Sequence, residues 1–107
     1  MHLTRYEQVL VITVRGELDY DDAEDIEAAF DEADQAALPT TAVDLSQVTF
    51  ADSTLLNALL NTLRRHETSG RDLVLLGPLQ PAVNRVLAVS GTLGHFTTAS
   101  TGPTPTS

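Results

Sequence analysis

The chain has 107 residues, of which 42% are hydrophobic and 20% charged, and this composition predicts one globular domain with a buried core. Fifteen acidic residues against six arginines, with no lysine, give a net charge of −9, so neither nucleic acid nor an anionic membrane surface is an expected partner. The absence of cysteine excludes disulfides, thiolate catalysis and iron–sulfur clusters.

The first part of the chain predicts an antiparallel hairpin. Residues 3–6 have a weak strand pattern and residues 8–15 a strong one, in which the unbroken apolar run from Val9 to Ile12 predicts burial on both faces. Only Glu7 and Gln8 lie between the apolar residues of these two segments, and this connection is too short for a crossover. Gly16 is predicted to end the second strand, and Asp19 is a candidate helix cap.

An amphipathic, acidic helix is predicted over residues 21–37. Small and apolar residues recur in it at spacings of three and four, at Ala23, Ile26, Ala29 or Phe30, and Ala33. Its carboxylates leave two interpretations open, a solvated face or an attraction for a basic partner. A pair of catalytic carboxylates is not indicated, because nothing marks two of them for burial. Pro39 ends the helix.

The next stretch changes from strand to helix periodicity at one short junction. Residues 41–50 alternate as a strand, and apolar residues then recur at the helical positions 55, 56, 59, 60 and 63. The junction holds Asp52, Ser53 and Thr54, three residues of the type that caps helices. Ser53 is therefore either the N-cap or an exposed serine beside the positive end of a helix dipole, where a phosphate is well held.

The remaining pattern predicts a short strand, a helix and a last strand. The helix of the junction ends at Ser69 and Gly70, residues 73–76 form a strand, and residues 80–89 form a helix with Pro81 in its first turn. A final strand is predicted over residues 95–98. We expect one domain over residues 1–98, and we expect the Ser/Thr/Pro-rich segment 99–107 to be a disordered tail.

This order predicts an α/β domain with a mixed four- to five-stranded sheet, an N-terminal antiparallel hairpin and parallel crossovers, flanked by helices. Neither a leader peptide nor a membrane span is recognisable, so a cytoplasmic protein is expected.

No catalytic or metal-binding constellation is recognisable. His2, His66 and His95 share no ligand spacing, and no glycine-rich phosphate loop or nucleophile elbow is present. The sequence therefore predicts neither a cofactor nor an enzyme, and indicates a protein that binds others or is modified by them.

Four stretches together resemble the STAS domain, and in particular the anti-sigma factor antagonists of bacteria. They are Val14 to Asp19 (VRGELD), Val43 to Thr54 (VDLSQVTFADST), Leu79 to Leu87 (LQPAVNRVL) and the pair Ser90 and Gly91. The resemblance covers nearly everything from Val9 to about Phe96. It implies a STAS-like fold and a role in switching between protein partners.

The resemblance also implies particular partners and residues. An antagonist of this family binds an anti-sigma factor that is a serine kinase, is inactivated when that kinase phosphorylates it, and is reset by a serine phosphatase. Carried over to this chain, the phosphorylated residue is Ser53. The residues implied to contact the partner are Asp19, Asp52, Ser53, Thr54, Leu55 and Leu56.

One departure from the family pattern keeps alternatives open. Leu55 stands where the family usually has glycine, so it either fills the space through which a partner approaches the helix or adds an apolar contact for a particular partner. The alternative function is an unphosphorylated STAS scaffold or adaptor subunit of a larger regulatory or transport complex. A module for small molecules or nucleotides is disfavoured by the acidic surface and the missing phosphate loop.

Overall fold

The structure, a computed structural model, describes residues 2–91, 94 and 96–100. Along the chain its elements are β1 (His2–Arg5), β2 (Val9–Leu18), a 3₁₀ turn (Tyr20–Asp22), α1 (Ala23–Ala36), β3 (Thr40–Ala51), α2 (Ser53–Ser69), β4 (Asp72–Gly77), α3 (Pro81–Val89) and β5 (Thr97–Ser100).

The described strands form one mixed sheet in the order β1-β2-β3-β4-β5. β1 and β2 are antiparallel, with Leu3 opposite Ile12, while the pairs β2–β3, β3–β4 and β4–β5 are all parallel. Each parallel pair is joined by a helical crossover, as the alternation of strand and helix patterns requires. The predicted fold class is confirmed, including the N-terminal hairpin.

One hydrophobic cluster on a single face of the sheet holds the helices in place. Leu10, Ile12 and Val14 of β2 belong to it together with buried residues of α1, α2 and α3. Val9 and Val11 point to the other face and are only half-buried. The expected burial of β2 on both faces is therefore wrong, because helices cover only one of them.

β2 continues past Gly16, where it was predicted to end. The pairing between β2 and β3 shifts register between Thr13 and Arg15 and again between Gly16 and Glu17. Gly16 has φ +80°, a conformation that glycine adopts without steric cost. An irregular pairing of this kind lets a strand continue while its side chains change direction.

The C-terminal strand extends beyond the predicted end of the domain. Ala99 and Ser100 pair with Leu76 and Gly77 of β4, although both were assigned to the disordered tail. The other residues of that tail, 101–107, lie outside the described residues, as does His95 of the predicted last strand. The limits of the domain stay a prediction. In the described part of the chain, no helix is long and apolar enough to cross a membrane.

A buried histidine joins α2 to β3. His66 is 1% exposed, its Nδ1 donates to the Thr62 carbonyl oxygen over 2.8 Å, and its Nε2 lies 2.7 Å from Thr41 Oγ1. With Nδ1 protonated, a neutral ring accepts the Thr41 hydroxyl proton at Nε2. Burial lowers the pKa of His66; Arg71 acts in the same direction, while the bond to the Thr62 carbonyl and the charges of Asp34 and Asp72 oppose it.

This arrangement predicts that acid weakens the fold through His66. The unfolded chain has the ordinary histidine pKa of about 6.5, and the folded chain a lower one. Between the two values the unfolded state binds more protons, so stability is full above the ordinary pKa and falls as the pH drops below it. Urea unfolding from about pH 7.5 to 5.5 should show this loss. His66→Gln should be less stable at the higher pH but flatter across the range, and parallel curves would contradict the assignment.

Candidate functional site

The candidate site lies where β2 and β3 end at the same edge of the sheet. Leu18 and Ala51 are Cα partners in the parallel pairing, and adjacent strands lie about 4.8 Å apart. Asp19 and Asp52 therefore leave the sheet side by side. The structure brings together two segments that are more than thirty residues apart in the sequence.

Asp52, rather than Ser53, caps α2. Its Oδ1 accepts a hydrogen bond from the backbone N–H of Thr54 over 2.8 Å, while its own backbone is extended. Ser53 is the first residue of the helix, and its side chain is exposed. Of the two interpretations of Ser53, the N-cap is thus wrong, and its hydroxyl is accessible beside the helix N-terminus.

The cap is testable by mutation. Asp52→Ala removes the acceptor for the Thr54 N–H, and loss of an N-cap costs about 0.5–2 kcal/mol of stability. Asp52→Asn keeps an acceptor oxygen at the same place and should cost much less. Chemical denaturation of both variants measures the difference, and equal losses would mean that the carboxylate acts by its charge instead of as a cap.

Asp19 fixes the neighbouring segment in a similar way. Its Oδ1 accepts from the backbone N–H of Asp21 over 2.9 Å, and its own N–H donates to Asp22 Oδ2 over 3.0 Å. This capping box holds the 3₁₀ turn that starts α1. The predicted capping role of Asp19 is confirmed.

Leu55 lies inside the protein, whereas the partner contact predicted for it requires an exposed side chain. It is 2% exposed and belongs to the hydrophobic core, on the same helix face as Leu59. Its side chain neither fills the approach to Ser53 nor offers an apolar contact, so both expectations for this residue are corrected. Thr54 and Leu56 are half-buried and keep some surface for a partner.

The edge around Ser53 carries many carboxylates. They belong to β2, the 3₁₀ turn, the start of α1 and the cap of α2, at Glu17, Asp19, Asp21, Asp22, Asp25 and Asp52. The N-terminus of α2 contributes positive character there through its backbone N–H groups, and Arg15 lines one pocket together with Glu17, Asp22 and Asp25. No cluster of residues suited to a metal occurs in the described part of the chain.

Phe50 is a surface residue that the sequence pattern did not reveal. Alternation with Val48 predicts that it points inward, yet Val48 is buried and Phe50 is 47% exposed. The register shift between Gly16 and Glu17, which pair with Val48 and Phe50, changes the direction of the side chain. Phe50 borders an open groove of about 340 Å³ between the end of β3 and α3.

Comparison with known proteins identifies the family. The family model described as "Mlab, STAS domain" matches residues 1–96. The chain belongs to the STAS domain family. The match includes the junction around Ser53 and the helices on both sides of it, so the candidate site lies inside this STAS domain.

Solved structures similar to this STAS domain include anti-sigma factor antagonists. The antagonist SpoIIAA in its unphosphorylated form is 26% identical, with a TM-score of 0.79 over 94% of this chain and 87% of that one. The Bacillus cell fate determinant SpoIIAA in its phosphorylated form is 27% identical, with a TM-score of 0.74 over 94% and 90%. An anti-sigma factor antagonist from Mycobacterium paratuberculosis is 28% identical, with a TM-score of 0.76 over 91% and 81%.

Proposed function

We propose that this STAS domain is an anti-sigma factor antagonist that binds an anti-sigma factor serine kinase and is inactivated by phosphorylation of Ser53. The observation that carries the proposal is the exposed Ser53 side chain on the first residue of α2, free of the capping role that Asp52 fills. Similarity to SpoIIAA, which is known in unphosphorylated and phosphorylated forms, supports the same switch here. A serine phosphatase resets it.

Electrostatics explains how such a modification breaks a complex without unfolding the domain. A phosphate adds about −1.5 to −2 charges, and the N-terminus of α2 favours a negative charge by about 0.3–1 kcal/mol. A partner packed against the same spot would bury that charge unpaired, at a cost of several kcal/mol. Each 1.4 kcal/mol changes an affinity tenfold, so one phosphate suffices to release the partner.

A phosphorylation assay tests the proposal directly. The purified protein is incubated with each anti-sigma factor kinase of the source genome and ATP, and the modified residue is mapped by mass spectrometry. We expect phosphate on Ser53 with at least one kinase and none on the control variant Ser53→Ala. Phosphate on Thr54 instead, or binding without any transfer, would reject the switch at Ser53.

The second candidate function is an unphosphorylated scaffold or adaptor within a larger complex. The buried Leu55 favours it, because this side chain ties the first turn of α2 to the core and opposes its unwinding into an extended kinase substrate. Stable binding of an anti-sigma factor with no phosphate transfer in the same assay would select this function.

The acidic edge predicts how the partner arrives. Carboxylates grouped around Ser53 speed the encounter with a basic surface, and salt screens this attraction. Raising the salt from about 50 to 500 mM should therefore slow association much more than dissociation. Surface plasmon resonance separates the two rates, and an association rate indifferent to salt would mean that these carboxylates only solvate the surface.

A further inference from the structure

Two exposed aromatic residues flank Ser53 at the carboxyl edge of the sheet. Tyr20, in the 3₁₀ turn after β2, is 75% exposed, and Phe50, near the end of β3, is 47% exposed. A third exposed aromatic residue, Tyr6, is 60% exposed, but it follows β1 at the opposite edge of the sheet. Tyr6 is therefore a built-in control for any role of the other two.

Chain spacing and strand pairing place both aromatic residues within one interface centred on Ser53. Phe50 precedes Ser53 by three residues, so their Cα atoms are at most about 11 Å apart. Tyr20 lies on the neighbouring segment, two residues after Leu18, and Leu18 pairs with Ala51, which precedes Ser53 by two residues. A standard interface covers about 800 Å² on each partner, which is wide enough to include all three residues.

Beside Phe50 lies the groove of about 340 Å³, whose other wall is α3. Its lining is mostly apolar, with one cation, and consists of Phe50, Ala51, Pro81, Ala82, Arg85 and Val86. The groove residues of α3 are not needed for its packing on the core, because Val83 and Leu87 are the residues that this helix buries there. The helix thus carries a second apolar stripe that turns outward, at positions 82 and 86 and at Val89, which is 82% exposed.

We propose that Tyr20 and Phe50 are the anchors of a docking surface on which the anti-sigma factor places apolar side chains, with the groove beside Phe50 receiving one of them. This inference rests on the proposed function and extends it. Binding energy at interfaces concentrates in a few aromatic and arginine residues surrounded by a rim. Here two exposed aromatic residues lie at the same end of the sheet as Ser53, and Arg85 lines the groove beside Phe50.

The charges at this edge select the occupant. A second copy of this chain would bring its own carboxylates against those around Ser53, and each chain has a net charge of −9, so self-association at this surface is opposed. A partner that has apolar side chains inside a basic rim is complementary both to the exposed aromatic residues and to the carboxylates around them. The anchors supply affinity that does not depend on phosphorylation, while Ser53 decides whether the partner can approach.

Three matched variants test the anchors. Phe50→Ser and Tyr20→Ser should each weaken binding of the purified anti-sigma factor that binds the wild type most tightly, by about tenfold or more. Tyr6→Ser removes an exposed aromatic side chain from the opposite end of the sheet and should change binding less than about twofold. Because these side chains are exposed, thermal unfolding should show that all three variants fold.

Hydrogen exchange of the complex gives an independent readout. We expect added protection at residues 48–52 and 81–86 and none at residues 3–9.

Phosphorylation of Ser53 with unchanged affinity in both anchor variants would overturn this inference and leave the proposed function standing. A concentration-dependent dimer in sedimentation that Phe50→Ser abolishes would assign the surface to a second copy instead. If the wild-type protein binds none of the anti-sigma factors tested, both the docking surface and the proposed function are overturned.

Discussion

Ser53→Asp is expected to lower the affinity for the anti-sigma factor by at least about tenfold while leaving the fold nearly unchanged. Aspartate adds one negative charge at the first residue of α2, about half that of a phosphate. The helix N-terminus tolerates this charge, whereas a partner lying over Ser53 must bury it. Isothermal titration calorimetry with the anti-sigma factor measures the loss, and circular dichroism checks the fold.

Ser53→Ala is the matched control, because it removes the hydroxyl without adding charge. Asp52 supplies the cap of α2, so the alanine variant should keep the stability of the wild type. It should also bind constitutively and accept no phosphate. Ser53→Asp and wild type binding equally well would exclude an electrostatic switch at this residue, whatever the stability of the two variants.

Leu55→Ala is expected to cost about 2–5 kcal/mol of stability, although the family resemblance assigns this residue to the partner interface. Its side chain is 2% exposed within the core cluster, so truncation leaves a cavity under the first turn of α2. Domains of this size have total stabilities of about 5–15 kcal/mol. The loss is therefore a large fraction of the whole, and urea denaturation measures it.

Leu55→Met keeps the volume and should cost less than about 1.5 kcal/mol. Leu55→Gly restores the usual family residue and should be less stable than Leu55→Ala by up to about 1 kcal/mol, because glycine is unfavourable in a helix. Leu55→Ala with full stability and weakened partner binding would show that the side chain faces the partner. Faster phosphorylation of a folded Leu55→Gly variant would instead show that the Leu55 side chain restrains the first turn of α2 and so slows phosphorylation.

The order of the elements and the position of the junction before α2 follow from local patterns in the sequence. The change from strand to helix periodicity at Asp52 marks the junction, and the short connection after Tyr6 permits only a hairpin. These are interactions between residues close in the chain, so composition and spacing suffice to predict them. The helical period also places Leu55 and Leu59 on one face, which is enough to predict that Leu55 is buried.

Other features depend on how strands and helices meet, and local patterns do not contain them. Phe50 is exposed because the pairing with β2 shifts register, and a shift of one residue turns a strand's side chains to the other face. His66 is buried because Thr41 of β3 lies opposite the last turns of α2 and offers its ring a partner. Both outcomes are set by contacts between residues distant in the chain. The sequence by itself therefore determined the order of the elements and the junction at residues 52–54, while the structure decided that Asp52 caps the helix, that Ser53 is exposed and which residues surround it.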